Sequence, residues 1–218
     1  MKEKQPYRNT RRWENLERRM FLGTGMYDIP LLQPIDYLGN GEFVGFNFVK
    51  SCQNPNGKSV HFFLDDYQFE RVWLDIDKYI LPLAQFEYCL TPDFSIYTDF
   101  PKAIQIYNHY RKQWCGAYLQ EYGIRVIPTV SWSDKDSFDW CFDGIPTDGT
   151  VAVSSVGVMR SAKNKELFER GYEEMLQRLH PKKIIFYGDV PAVIGGDIIR
   201  IIPFHNRFSE VKENGRKR

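Results

Sequence analysis

Three aspartates carry the first chemical suggestion in this chain. Asp65 and Asp66 close the run Phe62-Phe-Leu-Asp-Asp-Tyr67, and Asp93 closes Tyr88-Cys-Leu-Thr-Pro-Asp93. A carboxylate at the end of an apolar run can act as acid or base with a pKa raised by partial burial, attack as a nucleophile, or ligate Mg²⁺. The plainer reading is that each aspartate caps the turn or helix that follows. Two such runs in succession favour one shared site, with Asp65, Asp66 and Asp93 as candidate catalytic residues and Tyr67 beside them as a substrate contact.

Three further apolar runs end on small or polar residues. In 125–132 the alternation puts Thr129 and Ser131 on one side, and Trp132 offers a face that could stack on a base or sugar. Ser154, Ser155 and Gly157 follow the run that starts at Val151 and precede a helix expected from 163, a pattern that presents free backbone N–H groups to a phosphate or packs small residues closely. Tyr187 and Gly188 close the last of these runs. All are candidate substrate-binding residues.

Other chemistries lack their motifs. Cys52, Cys89, Cys115 and Cys141 show no CxxC or CxxH spacing, so no zinc site is expected and reduced thiols fit better. There is no GxGxxG, GxSxG or HExxH, and His61, His109, His180 and His205 are scattered. Mg²⁺ is the one metal the carboxylates leave open. The loop 53–59 resembles the end of a phosphate-binding loop, but Cys52 stands where the first glycine belongs, so it reads as a turn.

The elements that must position these tips follow from periodicity. Apolar runs beginning at 61, 88, 125, 151 and 184 read as buried parallel strands, whose C-terminal ends form the edge where such folds place their chemistry. Their spacing suits strand–helix units. Amphipathic helices are expected over 163–180 and 102–122, the second with Ile106, Tyr107, Tyr110, Trp114 and Tyr118 buried; its stretch 107–114 around His109 mixes aromatic with basic residues and reads as a solvated face or as a nucleic-acid contact. Further strands are expected at 29–32, 42–49 and 198–204, and a short charged helix at 11–20. With 218 residues, short of the roughly 250 of a complete TIM barrel, the chain reads as one α/β domain, TIM-barrel-like but incomplete or distorted. The alternative is an open doubly wound parallel sheet. Residues 1–25 form an N-terminal arm and 208–218 a basic tail.

Charge and hydropathy narrow the partners. A 43% hydrophobic, 16% aromatic chain can bury a sizeable core, and its net charge of +1 makes no global case for nucleic acid. The ends are locally basic and read as solvated tails or as a phosphate-contacting arm. No stretch approaches a membrane span and the N-terminus lacks a signal-peptide pattern, so a cytoplasmic protein is expected.

The strings His61-Phe-Phe-Leu-Asp-Asp-Tyr-Gln-Phe-Glu-Arg-Val-Trp73, Leu90-Thr-Pro-Asp-Phe-Ser-Ile-Tyr-Thr-Asp99, Val126-Ile-Pro-Thr-Val-Ser-Trp-Ser-Asp134 and Val151-Ala-Val-Ser-Ser-Val-Gly157 resemble a bacterial and phage domain-of-unknown-function family, number 4417. That resemblance covers most of the chain and implies an origin in phages or mobile elements, within a bacterial host cell. A weaker, architectural similarity is to the barrel of tRNA-guanine transglycosylases, whose zinc cluster and glycine-rich base pocket are absent here; it implies rim aspartates that recognise a base and attack a sugar carbon. The expectation is an enzyme of transglycosylase or hydrolase type acting on a nucleotide, nucleic-acid or sugar-phosphate substrate. A non-catalytic nucleic-acid-binding or protein-interaction module is the alternative.

Overall fold

The computed structural model describes residues 14–158 and 161–202. The basic tail and the start of the N-terminal arm lie outside them. Over 14–20, where a helix was expected, the chain turns instead. Asn15 takes a left-handed φ of 59° and its buried side-chain amide donates to the Trp73 carbonyl at 2.8 Å. Asparagine tolerates that conformation because its short polar side chain can bond locally.

A short antiparallel hairpin, β1 (Gly23–Thr24) and β2 (Ile29–Pro30), precedes the main sheets. Then come β3 (Phe43–Gly45), β4 (Ser59–His61), α1 (Glu70–Leu74), α2 (Asp77–Leu83), β5 (Tyr88–Leu90), α3 (Lys102–Glu121) and β6 (Val126–Ile127). They are followed by β7 (Thr150–Ser154), α4 (Ala162–Leu179), β8 (Lys183–Tyr187) and β9 (Ile198–Ile201). The strand expected over 42–49 stops at Gly45 and becomes a 3₁₀ helix, Phe46–Ser51, which buries Phe46 and Val49 together. Residues three apart eclipse in that helix, so it buries both, whereas a strand would point them to opposite faces. The loop expected to be a plain turn is one: Lys58 N–H donates to the Pro55 carbonyl at 3.0 Å.

The protein is mixed α/β with parallel sheets. β3–β4–β5–β6 form one sheet and β7–β8–β9 another, both in chain order and parallel throughout. A parallel bridge between Thr129 and Ala152 joins them, with Val130 N–H donating to the Ala152 carbonyl and Ala152 N–H to that of Pro128. Among the described strands the order never reverses, as a doubly wound sheet requires. No ladder joins β9 to β3, so among the described residues no closed sheet forms. Side chains nevertheless cross between the first and last units: the Tyr187 ring stacks on Phe63 at 4.8 Å and lies 4.9 Å from His61.

Two apolar clusters flank the sheets. One gathers β3–β6 with α1–α3 around Trp73 and Trp114, which meet edge to face at 5.5 Å; the other gathers β7 and β8 with α4 and the segment 138–145. α4 keeps the amphipathic face that its sequence announces, burying Phe168, Tyr172, Met175 and Leu179. α3 does not. Gln105, Asn108, His109, Arg111, Lys112 and Gln113 are all buried, while Ile106, Tyr107 and Tyr110 are only half-buried. The polar face packs toward the strand edge, where Gln105, Asn108 and Lys112 bond Phe100, Ser95 and Ser131, and the N-terminal segment covers the side of α3 that would otherwise meet water. Trp114 Nε1 donates to the Arg19 carbonyl, Gln33 and Gln120 exchange two bonds, and Tyr107 donates to Glu14.

Candidate active site

Because every strand of both sheets runs the same way, the segments after β4, β5 and β6 leave one edge. Two rungs link the segments after β5 and β6. Thr129 N–H donates to Thr91 Oγ1 at 2.8 Å and Thr129 Oγ1 donates to the Thr91 carbonyl at 3.0 Å. One step further on, Ser131 donates its hydroxyl to the Asp93 carboxylate and accepts from Lys112 Nζ at 2.6 Å. The result is a line from a fully buried lysine on α3, through a serine, to an aspartate.

Asp66 completes the group from the neighbouring loop. It opens a 3₁₀ helix, Asp66–Gln68, and both its carboxylate oxygens accept from Ser95, from the backbone N–H at 3.0 Å and from the hydroxyl at 2.8 Å. The Ser95 carbonyl in turn accepts from Asn108 at 2.5 Å. Arg111 braces the same loop: it lies 3.8 Å from the centre of the Phe94 ring, donates to Asn108, and pairs with Glu70 at 2.6 Å. Charge-assisted bonds of this kind fix geometry as well as adding energy.

Electrostatics set the protonation. Desolvation pushes the Asp93 carboxyl up to about 6; Lys112 opposes it, Asp66 reinforces it, and the bond from Ser131 opposes it. Burial lowers the Lys112 pKa, against the pull of Asp93, Cys141 and Asp66. His109, one turn back on α3, is held down to about 3 by burial and by Lys112, while its Nε2 faces the Asp143 carbonyl at 2.9 Å. It is therefore a neutral core histidine and does not lie on a solvated face. A half-buried carboxyl with a pKa near neutrality can both give and take a proton. Among the described residues no three His, Cys, Asp or Glu groups cluster to hold a metal, and the positive charge beside Asp66 and Asp93 is that of Lys112.

The other residues singled out from sequence divide. Asp65 is exposed and makes no side-chain cap bond. Tyr67 is exposed beside Asp66. Thr129 is buried and committed to Thr91, so it locks two segments together and offers no free hydroxyl. Trp132 packs on Phe168 at 5.2 Å and against Gly171, where a Cβ would fall 2.2 Å from its Nε1; the ring serves α4. Ser155 is buried and donates to the Asp189 carbonyl at 2.8 Å, and Ser154 Oγ accepts from Val156 N–H at 3.2 Å. Gly157 is exposed with φ of 84°, and the start of α4 is capped by Ser161, which accepts from Asn164 N–H. Tyr187 is buried against Phe63, and Gly188 takes φ of 111° at a point where a Cβ would lie 2.6 Å from Ser155 Oγ.

Sequence reading missed Lys112, Ser95 and Asn108. Gln105, Asn108, His109 and Lys112 recur at i, i+3, i+4 and i+7, which is one helical face. Read as a polar stripe aimed at the strand edge, that spacing would have pointed to Lys112. A shallow groove of about 300 Å³, lined by Lys135, Phe138, Arg170, Glu173, Glu174 and Gln177, lies elsewhere, between α4 and the 3₁₀ helix Lys135–Asp139.

With this geometry in hand, comparison with known proteins adds lineage. A family model described as a domain of unknown function (DUF4417) matches residues 21–205. The chain is 42% identical over 175 residues to the Gene 1 protein of Mycobacterium phage L5, a match covering 79% of this chain and 76% of the relative. It is 40% identical over 173 residues to the Gene 1 protein of Mycobacterium phage D29, covering 78% of this chain and 64% of that relative, so it spans a little under two thirds of the latter. No solved structure matches.

Proposed function

The chain belongs to the family described as a domain of unknown function (DUF4417), which has phage members, and within it we propose that this protein is an enzyme of acid–base type, its chemistry centred on Asp93. The observation that carries the reading is the hydrogen-bonded line Lys112–Ser131–Asp93 with Asp66 alongside. Protonated, Asp93 gives its proton to a leaving group; ionised, it takes one from an incoming hydroxyl or water. Lys112 supplies a fixed counter-charge that limits how far burial raises Asp93, and Ser131 holds the two in register. Asp66, fixed by Ser95, orients substrate or stabilises positive charge that develops in the reaction. That division of labour suits transglycosylase or hydrolase chemistry on a nucleotide-like or sugar-containing substrate, in the cytoplasm of the bacterial host.

The architecture we propose is an incomplete barrel. Sequential parallel strands and the packing of Tyr187 on Phe63 support it, since in-order parallel strands curl one way.

The test is a turnover screen of nucleosides, nucleotides, short oligonucleotides and sugar phosphates, followed by mass spectrometry, with wild type and variants in parallel. Asp93→Asn is expected to cost about 100-fold or more in rate, as general acid–base groups do, and Asp65→Asn to cost nothing measurable. Undiminished turnover in Asp93→Asn would remove Asp93 from the mechanism.

A further inference from the structure

Two tyrosines stand in solvent at the same edge, unused by the proton chemistry. Tyr67 follows Asp66 directly and is 79% exposed; Tyr97 lies two residues beyond Ser95 and is 62% exposed. The paired bonds between Asp66 and Ser95 tie together the two loops that carry these tyrosines, one residue and two residues from the tie. Tyr97 is also steadied by an edge-on contact with Phe100 at 5.2 Å. Aromatic residues held in solvent on braced loops offer stacking area at small entropic cost.

Charge narrows what stacks there. The loops 62–69 and 91–100 contain Asp65, Asp66, Asp93 and Asp99 and no lysine or arginine. Lys112 and Arg111, which reach these loops from α3, are both buried and engaged, the first with Ser131 and the second with Glu70 and the Phe94 ring. A phosphate placed among these carboxylates would meet repulsion from several sides, whereas a ring edge bearing N–H or amino donors would meet acceptors.

We propose that Tyr67 and Tyr97 bind the flat ring of an unphosphorylated nucleoside, with its donor edge turned toward Asp66 and Asp93. This rests on the acid–base reading of the site and narrows its substrate class away from phosphate-bearing molecules.

Calorimetric titration of the full chain with adenosine, guanosine, cytidine and uridine, with their 5′-monophosphates, and with ribose 5-phosphate tests it. At least one nucleoside is expected to bind with a Kd below about 1 mM, and its monophosphate about tenfold more weakly. Tyr67→Ala and Tyr97→Ala should each weaken the nucleoside about fivefold or more, as loss of base stacking does, with unchanged melting temperature because both rings are exposed. Monophosphates or ribose 5-phosphate binding as tightly as the nucleoside, tyrosine variants binding normally, or no nucleoside heat at about 5 mM would each overturn it. The two readings fail separately: tyrosine-dependent nucleoside binding beside full turnover in Asp93→Asn sinks the acid–base mechanism alone, while Asp93-dependent turnover of a phosphorylated substrate sinks the nucleoside alone.

Discussion

Asp93 is pulled in opposite directions by its two charged neighbours, and each can be removed singly. Lys112 lowers its pKa and Asp66 raises it. Carbon-detected NMR of the Asp93 carboxyl should therefore show a midpoint near 6 in the wild type, a higher one in Lys112→Met and a lower one in Asp66→Asn. Movement of both variants in one direction would mean that the charges are not arranged as described. The same shift has a consequence for stability. The folded pKa lies above the ordinary value of 3.8, so ionising Asp93 costs the folded state more than the unfolded one, and that burden appears as pH rises from about 4 to about 6. The stability of Asp93→Asn relative to wild type should climb across that window and be flat above it. Calorimetric melting at several pH values measures the slope.

Among the elements, α3 and α4 show how two helices of ordinary sequence are used differently. α4 is a surface helix whose apolar face meets β7 and β8, and its one buried glycine has a steric reason. A Cβ on Gly171 would stand 2.2 Å from Trp132 Nε1. Glycine in a helix interior normally gains about 1 kcal/mol on replacement by alanine; here the indole must shift, and Gly171→Ala is expected to destabilise by about 1–3 kcal/mol, the usual cost of overpacking. Denaturant unfolding gives the sign directly, and a stabilised variant would show that the Trp132 contact yields freely. α3, by contrast, is covered on both sides, so its polar face becomes interior. Its buried groups find partners in the segments that carry Asp93 and Ser131: Asn108 holds Ser95, Arg111 stacks on Phe94, and Lys112 reaches Ser131. α3 is thus the frame of the candidate site.

At the scale of the whole molecule, the candidate site draws on the segments that follow β4, β5 and β6, braced by α3. Removing residues 1–10 and 208–218 should leave the melting temperature within a few degrees, roughly the effect of less than 1 kcal/mol, and leave Asp93-dependent turnover intact. Circular dichroism with the substrate screen checks both. An intact fold with lost function would move the activity to the basic ends and favour a nucleic-acid-binding role over an edge enzyme. Three buried cysteines, Cys89, Cys115 and Cys141, are free thiols that burial holds well above their ordinary pKa, which makes them packing groups.

The sequence by itself determined the parallel strands and the edge to which the candidate site is assigned. Apolar, β-branched runs ending on aspartate, serine and glycine have few other folded states, so β5, β7, β8, α3 and α4 lie within a residue or two of expectation at most of their ends. Tertiary structure decided which tips work together. β4 ends at His61, earlier than the apolar run suggests, so Asp65 and Asp66 leave a tight turn in different directions: the first to solvent, the second to Ser95. Ser131 and Thr129 share a strand side, yet one meets Lys112 and the other disappears into a rung. Lys112 itself was illegible because a lysine in a helix ordinarily marks water; its face is interior because it packs toward Ser131 and Asp93 at the strand edge while the N-terminal segment covers the opposite side of α3 at Tyr107 and Trp114, and contacts between segments about 90 residues apart in the chain leave no local periodic mark.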